Sequence, residues 1–311
     1  MEITRSINEL QDAVRVLKGV AEPTRLRLMA LLSHGELTVG EICEILGQSQ
    51  PRVSRHLGLL SDAGLLDRLP EQQSVYYRTP ARGPRLKGLE ALLQHLEAVD
   101  ERLGQDRRRM TEVVAARGRA AVKQLAPGAG LRLAGADQRA LGQLLSEGLA
   151  GAGLGELLDI GTGGGRMLQV LAPRASRALG IDISAPALRL ARTRVHEAGM
   201  SHCEFQRGDM YALPCADQSF DTVSMDQVLA QAERPAAALA EAVRALRPGG
   251  RLIMIEDFDA LDADGGDNPL RRVRRWLAAA QLEPERVQPC DLAAGHFLVA
   301  LAHRNAPLRG S

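Results

Sequence analysis

Lysine is almost missing from this chain. Only Lys18, Lys87 and Lys123 stand among its 39 basic residues, and the rest are arginine. With abundant alanine and glycine, this is the mark of a GC-rich codon bias, so a single arginine carries less functional weight than usual. Aromatic residues are only 3% of the chain, which speaks against an aromatic cage around a flat substrate. The four cysteines form no C-x-x-C pair, which argues against a disulfide framework or a zinc ribbon; no metal is expected. A protein of the reducing cytoplasm is expected instead. No run approaches the ~18 apolar residues of a membrane span, so no membrane partner is expected. Met1-Glu2-Ile3-Thr4-Arg5 also lacks the basic-then-apolar form of a signal peptide. Charge excess is absent too: the net charge is +1, with 18 Lys/Arg against 16 Asp/Glu in residues 1–119 and 21 against 22 in residues 120–311. Affinity for a nucleic acid must then come from where charges are placed.

What is present is 311 residues, 45% hydrophobic and 25% charged, enough for about two globular domains. Ile7, Leu10, Val14 and Leu17 recur at helical spacing and predict an amphipathic helix. Pro23 opens a second helix, which carries Leu26, Leu28, Met29, Leu31 and Leu32. Thr38-Val39-Gly40-Glu41 reads as a capping box opening a short helix that Gly47 stops. Ser49 can cap the next, with Val53, Leu57 and Leu60 facing inward. Leu65 to Thr79 reads strand–turn–strand, with Pro70-Glu71-Gln72-Gln73-Ser74 at its tip. Two short helices, a tight turn and a hairpin make a winged helix-turn-helix over residues 1–85. Gln50, Arg52, Ser54, Arg55 and His56 lie mostly opposite the apolar stripe, where they can meet base edges or phosphates in a major groove. Arg68, Tyr76, Tyr77 and Arg78 of the hairpin can touch backbone or minor groove.

Ala21-Glu22-Pro23-Thr24-Arg25-Leu26-Arg27, Val53-Ser54-Arg55-His56-Leu57, Ala63-Gly64-Leu65-Leu66 and Val75-Tyr76-Tyr77-Arg78 resemble the ArsR-type repressors over about residues 10–80. The resemblance implies a homodimer that reads an inverted repeat in a double-stranded DNA operator. The family's thiol metal site does not carry over: Glu36-Leu37 is followed by Thr38-Val39-Gly40 in place of Cys-x-Cys, and Cys43 reads as a small core residue. Leu86, Leu89, Leu93, Leu96 and Leu103 form a heptad-like seam. Residues 86–155 are expected to hold a long dimer helix, running to Arg117, and a Gly-rich linker.

The second domain is expected over residues 156–304. Leu157-Leu158-Asp159-Ile160 reads as a buried strand, followed by Gly161-Thr162-Gly163-Gly164-Gly165 and a helix. A P-loop would need a lysine, and none is near. A dinucleotide site would need glycine where Arg166 stands. Asp159, Gly161, Thr162, Gly163 and Gly165 instead resemble motif I of class I S-adenosylmethionine (SAM) methyltransferases. Asp182 ends a second strand 21 residues after Gly161, at the spacing where a carboxylate takes ribose hydroxyls, with Ile183 beside it. Gly208-Asp209-Met210 resembles the adenine-binding motif, and Asp226-Gln227 end a fourth strand. These alternating elements predict a Rossmann-like, doubly wound α/β sheet. The resemblance is strongest to enzymes of the ubiquinone/menaquinone-biosynthesis type. It implies SAM, or its demethylated product S-adenosylhomocysteine (SAH), as cofactor. Two departures stand out. Those relatives follow the fourth strand with Val-Leu-His, whereas Val228-Leu229-Ala230-Gln231-Ala232-Glu233 stands here, and no general base is visible. Between Glu256 and a helix at 270–282 only a short acidic loop is expected. Cys203, Cys215 and Cys290 lack the spacing of a thiol cluster. Two functions stay open: a regulator that senses SAM or SAH, and an active methyltransferase tethered to a DNA-binding domain.

Overall fold

The computed structural model describes residues 9–71, 74–80, 87–125, 135–149, 153–262 and 268–305. Packing divides the chain into two units, Met1–Arg117 and Gly118–Ser311.

The first unit opens with α1 (Glu9–Val20) and α2 (Pro23–Leu32). Then follow β1 (Leu37–Thr38), α3 (Val39–Leu46), α4 (Gln50–Asp62), β2 (Asp67–Glu71) and β3 (Ser74–Arg78). The strands pair in the order β1-β3-β2, all antiparallel. The capping box forms as expected: Thr38 Oγ1 accepts the Glu41 amide at 3.3 Å, and Glu41 accepts the Thr38 amide at 2.8 Å. Gly47 ends α3 with φ 63°, a conformation that costs a non-glycine residue about 1–2 kcal/mol. Val53, Leu57 and Leu60 are wholly buried along one side of α4. Each contributes roughly 1.5–3 kcal/mol of burial, and together they fix which side of α4 faces out. Gln72 and Gln73 lie outside the described residues.

Two expectations change here. The predicted stripe of α1 faces outward at Val14 and Leu17, the latter 63% exposed, while Val16 and Val20 enter the core. Ile7 lies outside the described residues. The long helix is in fact two, α5 (Lys87–Val99) and α6 (Glu101–Val122). Asp100 breaks it, its Oδ1 accepting the amides of Arg102 and Leu103 as an N-cap. Leu89, Leu93 and Leu103 are buried in this unit's own core with Met110 and Val114, and Leu96 packs against it. The seam thus serves the winged domain, because α5 packs on α2 of the same unit. Leu86 lies outside the described residues. Leu92 and Val99 stay exposed. Arginines fasten α6: Arg27 forks to Asp106 at 2.6 and 2.8 Å, Arg109 donates to the Ile45 carbonyl, and Arg117 donates to the Glu36 carbonyl and the Glu41 carboxylate.

In the second unit α7 (Gly135–Gly148) precedes β4 (Gly155–Ile160), α8 (Arg166–Leu171), β5 (Ala175–Asp182), α9 (Ala185–Glu197), β6 (Cys203–Arg207) and β7 (Phe220–Asp226). Next come α10 (Pro235–Ala245), β8 (Leu246–Asp257), α11 (Phe258–Asp262), α12 (Pro269–Ala279), β9 (Leu282–Leu292) and β10 (Gly295–Arg304). The sheet runs β6-β5-β4-β7-β8-β10-β9. Its first five strands are parallel, and β10 is antiparallel to both neighbours. The β9–β10 hairpin extends what the sequence showed only as a late strand. Part of the expected acidic loop is helix α11. The chain leaves β4 for β5 on one side and returns to β7 on the other. That reversal opens a crevice at the strands' carboxyl ends, the usual ligand position in such sheets.

Candidate functional site

The outer side of α4 carries Gln50, Arg52, Ser54 and Arg55, all exposed. Neither Arg52 nor Arg55 makes an ion pair with any described residue. His56 is half-buried and turns aside, its Nδ1 3.5 Å from the Glu22 carboxylate. A cavity of about 520 Å³ is lined by Arg25, Pro51, Arg52, Arg55, His56 and Leu59. Arg25, from the first turn of α2, is a cation at this face that spacing within α4 did not reveal. Of the hairpin residues expected at the DNA, only Arg68 is exposed. Tyr76 and Tyr77 are buried against β1, and Arg78 is held by Glu36 at 3.0 Å and Asp67 at 3.4 Å. Tyr77 and Arg78 therefore brace the wing and do not form its outer surface.

In the second unit the Gly-rich turn is fastened from several sides. Thr162 N donates to the Ile181 carbonyl, Gly163 N to Asp182 Oδ2 at 2.8 Å, and Gly165 N to the Thr162 carbonyl. Arg194 holds the Gly164 carbonyl from α9. Gly161, at φ 67°, has no room for a side chain: a Cβ would stand 2.5 Å from Val228 Cγ2. Gly163, at φ 51°, differs, since its Cβ would meet only the Gly161 carbonyl at 3.9 Å. Its bareness leaves open space beside Asp182. A cavity of about 510 Å³ lies here. Its wall brings together Gly161, Asp182, Ile183, Asp209, Met210 and Gln227, all expected, with Tyr211 and Glu233, which were not. Ile183 is 63% exposed, an apolar surface suited to a flat base. Asp182 also accepts the Ser184 amide at 2.7 Å, which steadies its carboxylate at the start of α9. Asp159, Thr162, Gly163, Gly165 and Asp226 are not in the cavity wall. Asp159 is buried under the turn and accepts from Ser224 at 2.6 Å; burial pushes its carboxyl up to about 7.

Residues 22–68 match the model for "Bacterial regulatory protein, arsR family", and residues 158–254 match that for "Methyltransferase domain". The Biofilm growth-associated repressor of Agrobacterium fabrum is 38% identical over 88 residues, 28% of this chain and 74% of that protein. The chain belongs to the ArsR family through its first domain and carries a methyltransferase domain after it. The Ubiquinone/menaquinone biosynthesis C-methyltransferase UbiE of a Ruegeria species is 36% identical over 112 residues, 35% of this chain and 44% of that protein. Among solved structures, the N-methyltransferase NodS of Bradyrhizobium japonicum with SAH aligns at 24% identity and TM-score 0.49, covering 60% of this chain and 98% of that one. The chain spans 34%, 44% and 56% of the length of the first three curated relatives it matches. Among the described residues no helix is long and apolar enough to cross a membrane.

SAM or SAH is the cofactor of the methyltransferase domain, and the bare face at Gly163 with the adjoining cavity fits its adenosine half. The exit of β7 is built differently from what its sequence promised. Arg166 forks onto both oxygens of Asp226, with Nε–Oδ2 at 2.6 Å, and its guanidinium lies 5.6 Å from the Phe297 ring. With the Gln227 amide turned so that its oxygen faces the guanidinium, Arg166 donates to it as well. Burial raises the Asp226 carboxyl, and the Arg166 guanidinium opposes that rise. Glu256, fully buried, accepts the amides of Val228, Leu229 and Ala230 at 3.2, 2.8 and 3.0 Å; burial pushes it up to about 7 against those donors. Neither partner was foreseen, because each acts between residues more than 25 positions apart in the sequence. The four cysteines are free, and burial raises the thiols of Cys43, Cys215 and Cys290. No metal-binding cluster exists among the described residues.

Proposed function

We propose that this protein is a dimeric operator-binding regulator whose methyltransferase domain reads SAM or SAH as a signal. The observation that carries the reading is the state of the β7 exit. Its two carboxylates are committed to structure, Asp226 to Arg166 and Glu256 to three backbone amides. Ala230 stands where the related enzymes carry histidine. The cofactor half keeps its cavity, with Asp182 placed for the ribose and Ile183, Asp209 and Met210 for the base. Gln50, Arg52, Ser54 and Arg55, with Arg25 and Arg68, take the DNA. Val14 and Leu17 of α1 and Leu92 and Val99 of α5 leave apolar surface exposed, which a second copy of the chain would cover.

The conduit for the signal is α6. The division between the units falls inside this helix, after Arg117. In the first unit Arg117 holds Glu41 of the α3 capping box. In the second, Gly118 lies against Thr193 of α9, where a Cβ would stand 2.7 Å from Cγ2. The N-terminus of α9 adjoins Asp182, so a ligand that moves Asp182 acts on the helix against which Gly118 of α6 lies. The second reading, an active enzyme on a small acceptor, draws support from Glu233 and Tyr211 in the cavity wall. An activated methyl sulfonium can react with a well-placed acceptor without a strong base.

Calorimetry of the full chain with SAM and with SAH tests the reading, followed by a search for transfer from methyl-labelled SAM. The regulator reading expects one saturable site per chain and no turnover with any acceptor offered. Heatless titrations with both ligands contradict it.

A further inference from the structure

Helix α12 has two unlike sides. Pro269, Val273 and Leu277 are buried, and Leu270 and Trp276 pack against the same core. The other side shows Arg271, Arg274 and Arg275 to solvent. Residues three and four apart share a helix face, and Arg271 and Arg275 stand about 6 Å apart along the axis. The helix, Pro-Leu-Arg-Arg-Val-Arg-Arg-Trp-Leu-Ala-Ala, has no acidic residue. Arg271 and Arg274 make no ion pair with any described residue. Elsewhere in the same unit Arg166, Arg177, Arg244 and Arg247 are each taken by Asp or Glu. The chain carries only +1 overall, so this face is a local concentration of charge.

We propose that the arginine face of α12 is a second duplex contact, which holds the phosphates of DNA flanking the operator. The proposal rests on the reading of the first unit as operator-binding. That unit keeps a duplex tethered to the chain, so flanking phosphates are present at high effective concentration. The exposed side offers only guanidinium groups, which suit phosphate oxygens. Contacts of that kind position a duplex without specifying its sequence.

The test uses the full chain and an operator recovered from a pool of random duplexes. One duplex carries the operator alone, the other long random flanks. Each phosphate neutralised on a duplex steepens the dependence of log affinity on log salt by ~0.9. Arg271→Ala with Arg274→Ala should lower that slope by about 2 on the flanked duplex and leave it unchanged on the bare operator. Arg271→Lys with Arg274→Lys should keep most of the slope, and the melting temperature should not move. An unchanged slope on flanked DNA overturns the proposal, as would occur if the face serves an acidic protein or an anionic lipid surface. An equal fall on both duplexes overturns the placement on the flanks. If the wild type retains no duplex even at low salt, the operator-binding reading falls, and this one with it.

Discussion

The two units use arginine in opposite ways. On α4, Arg52 and Arg55 stand in solvent with no ionic partner among the described residues. At the β7 exit, Arg166 is folded inward and spent on Asp226 and Gln227. A surface that must meet a changing partner keeps its charges unpaired, since an exposed guanidinium is solvated at little cost. An interior carboxylate has no such freedom and needs a cation or several amides beside it. The first unit thus carries unpaired charge on its outside, and the second carries paired charge beneath the cavity wall.

The contrast is broken most forcefully at Arg166. Arg166→Ala leaves Asp226 buried without its cation, a loss of about 3–5 kcal/mol. Urea unfolding should show the second unit's transition at lower denaturant. Arg52→Ala with Arg55→Ala should leave unfolding unchanged and weaken operator binding by ~1–3 kcal/mol for each of the two side chains that reads a base. Equal melting of wild type and Arg166→Ala would mean that the buried pair contributes nothing.

The glycines of the turn sharpen the same point. Gly161→Ala forces a Cβ to within 2.5 Å of Val228 at φ 67°, and should cost the ~1–2 kcal/mol of the left-handed conformation plus the clash. Gly163→Val meets nothing of the protein so close, and beyond the same left-handed backbone cost at φ 51° it should lose SAM binding in calorimetry. If SAM binds Gly163→Val normally, the open face at Gly163 is not the cofactor's. Asp182→Asn keeps the shape of the carboxylate and should weaken SAM at least tenfold, from charge-assisted bonds of ~1.5–3 kcal/mol each.

A further expected effect is in pH. Unfolded, Asp159 and Glu256 ionise near ~4; folded, burial holds both to about 7. Between those values the unfolded chain binds fewer protons than the folded one, so stability falls as pH rises from about 4 to about 7 and then levels. The second unit should unfold at lower urea at pH 8 than at pH 5. A second transition more stable at pH 8 would show that the three amides on Glu256 outweigh its burial.

Much of this was legible in the residues. Thr38-Val39-Gly40-Glu41, Gly47 and the Val53/Leu57/Leu60 stripe define α3 and α4 almost to the residue, because caps and periodicity are local signals. The Gly-rich turn and Asp182 were legible through spacing, and the cavity gathers six of the eleven expected cofactor residues. Long-range pairing was not legible. Nothing near Tyr77 or Arg78 says that β1 and Glu36 will cover them, and nothing near Asp226 says that Arg166 will close on it. The leucine seam misled for a related reason. Periodicity shows that a face is apolar, not which surface it meets, and α2 of the same unit was the surface at hand. Asp100, a cap in the middle of that seam, was the local sign that the helix would break.

The central claim is that ligand and operator communicate. Operator affinity, followed by fluorescence anisotropy with and without saturating SAM or SAH, tests it most directly. The account predicts a shift of about 5–150-fold, and by linkage the same factor in ligand affinity when operator is bound. Equal operator affinities in all titrations, with transfer of labelled methyl to any acceptor, would contradict it.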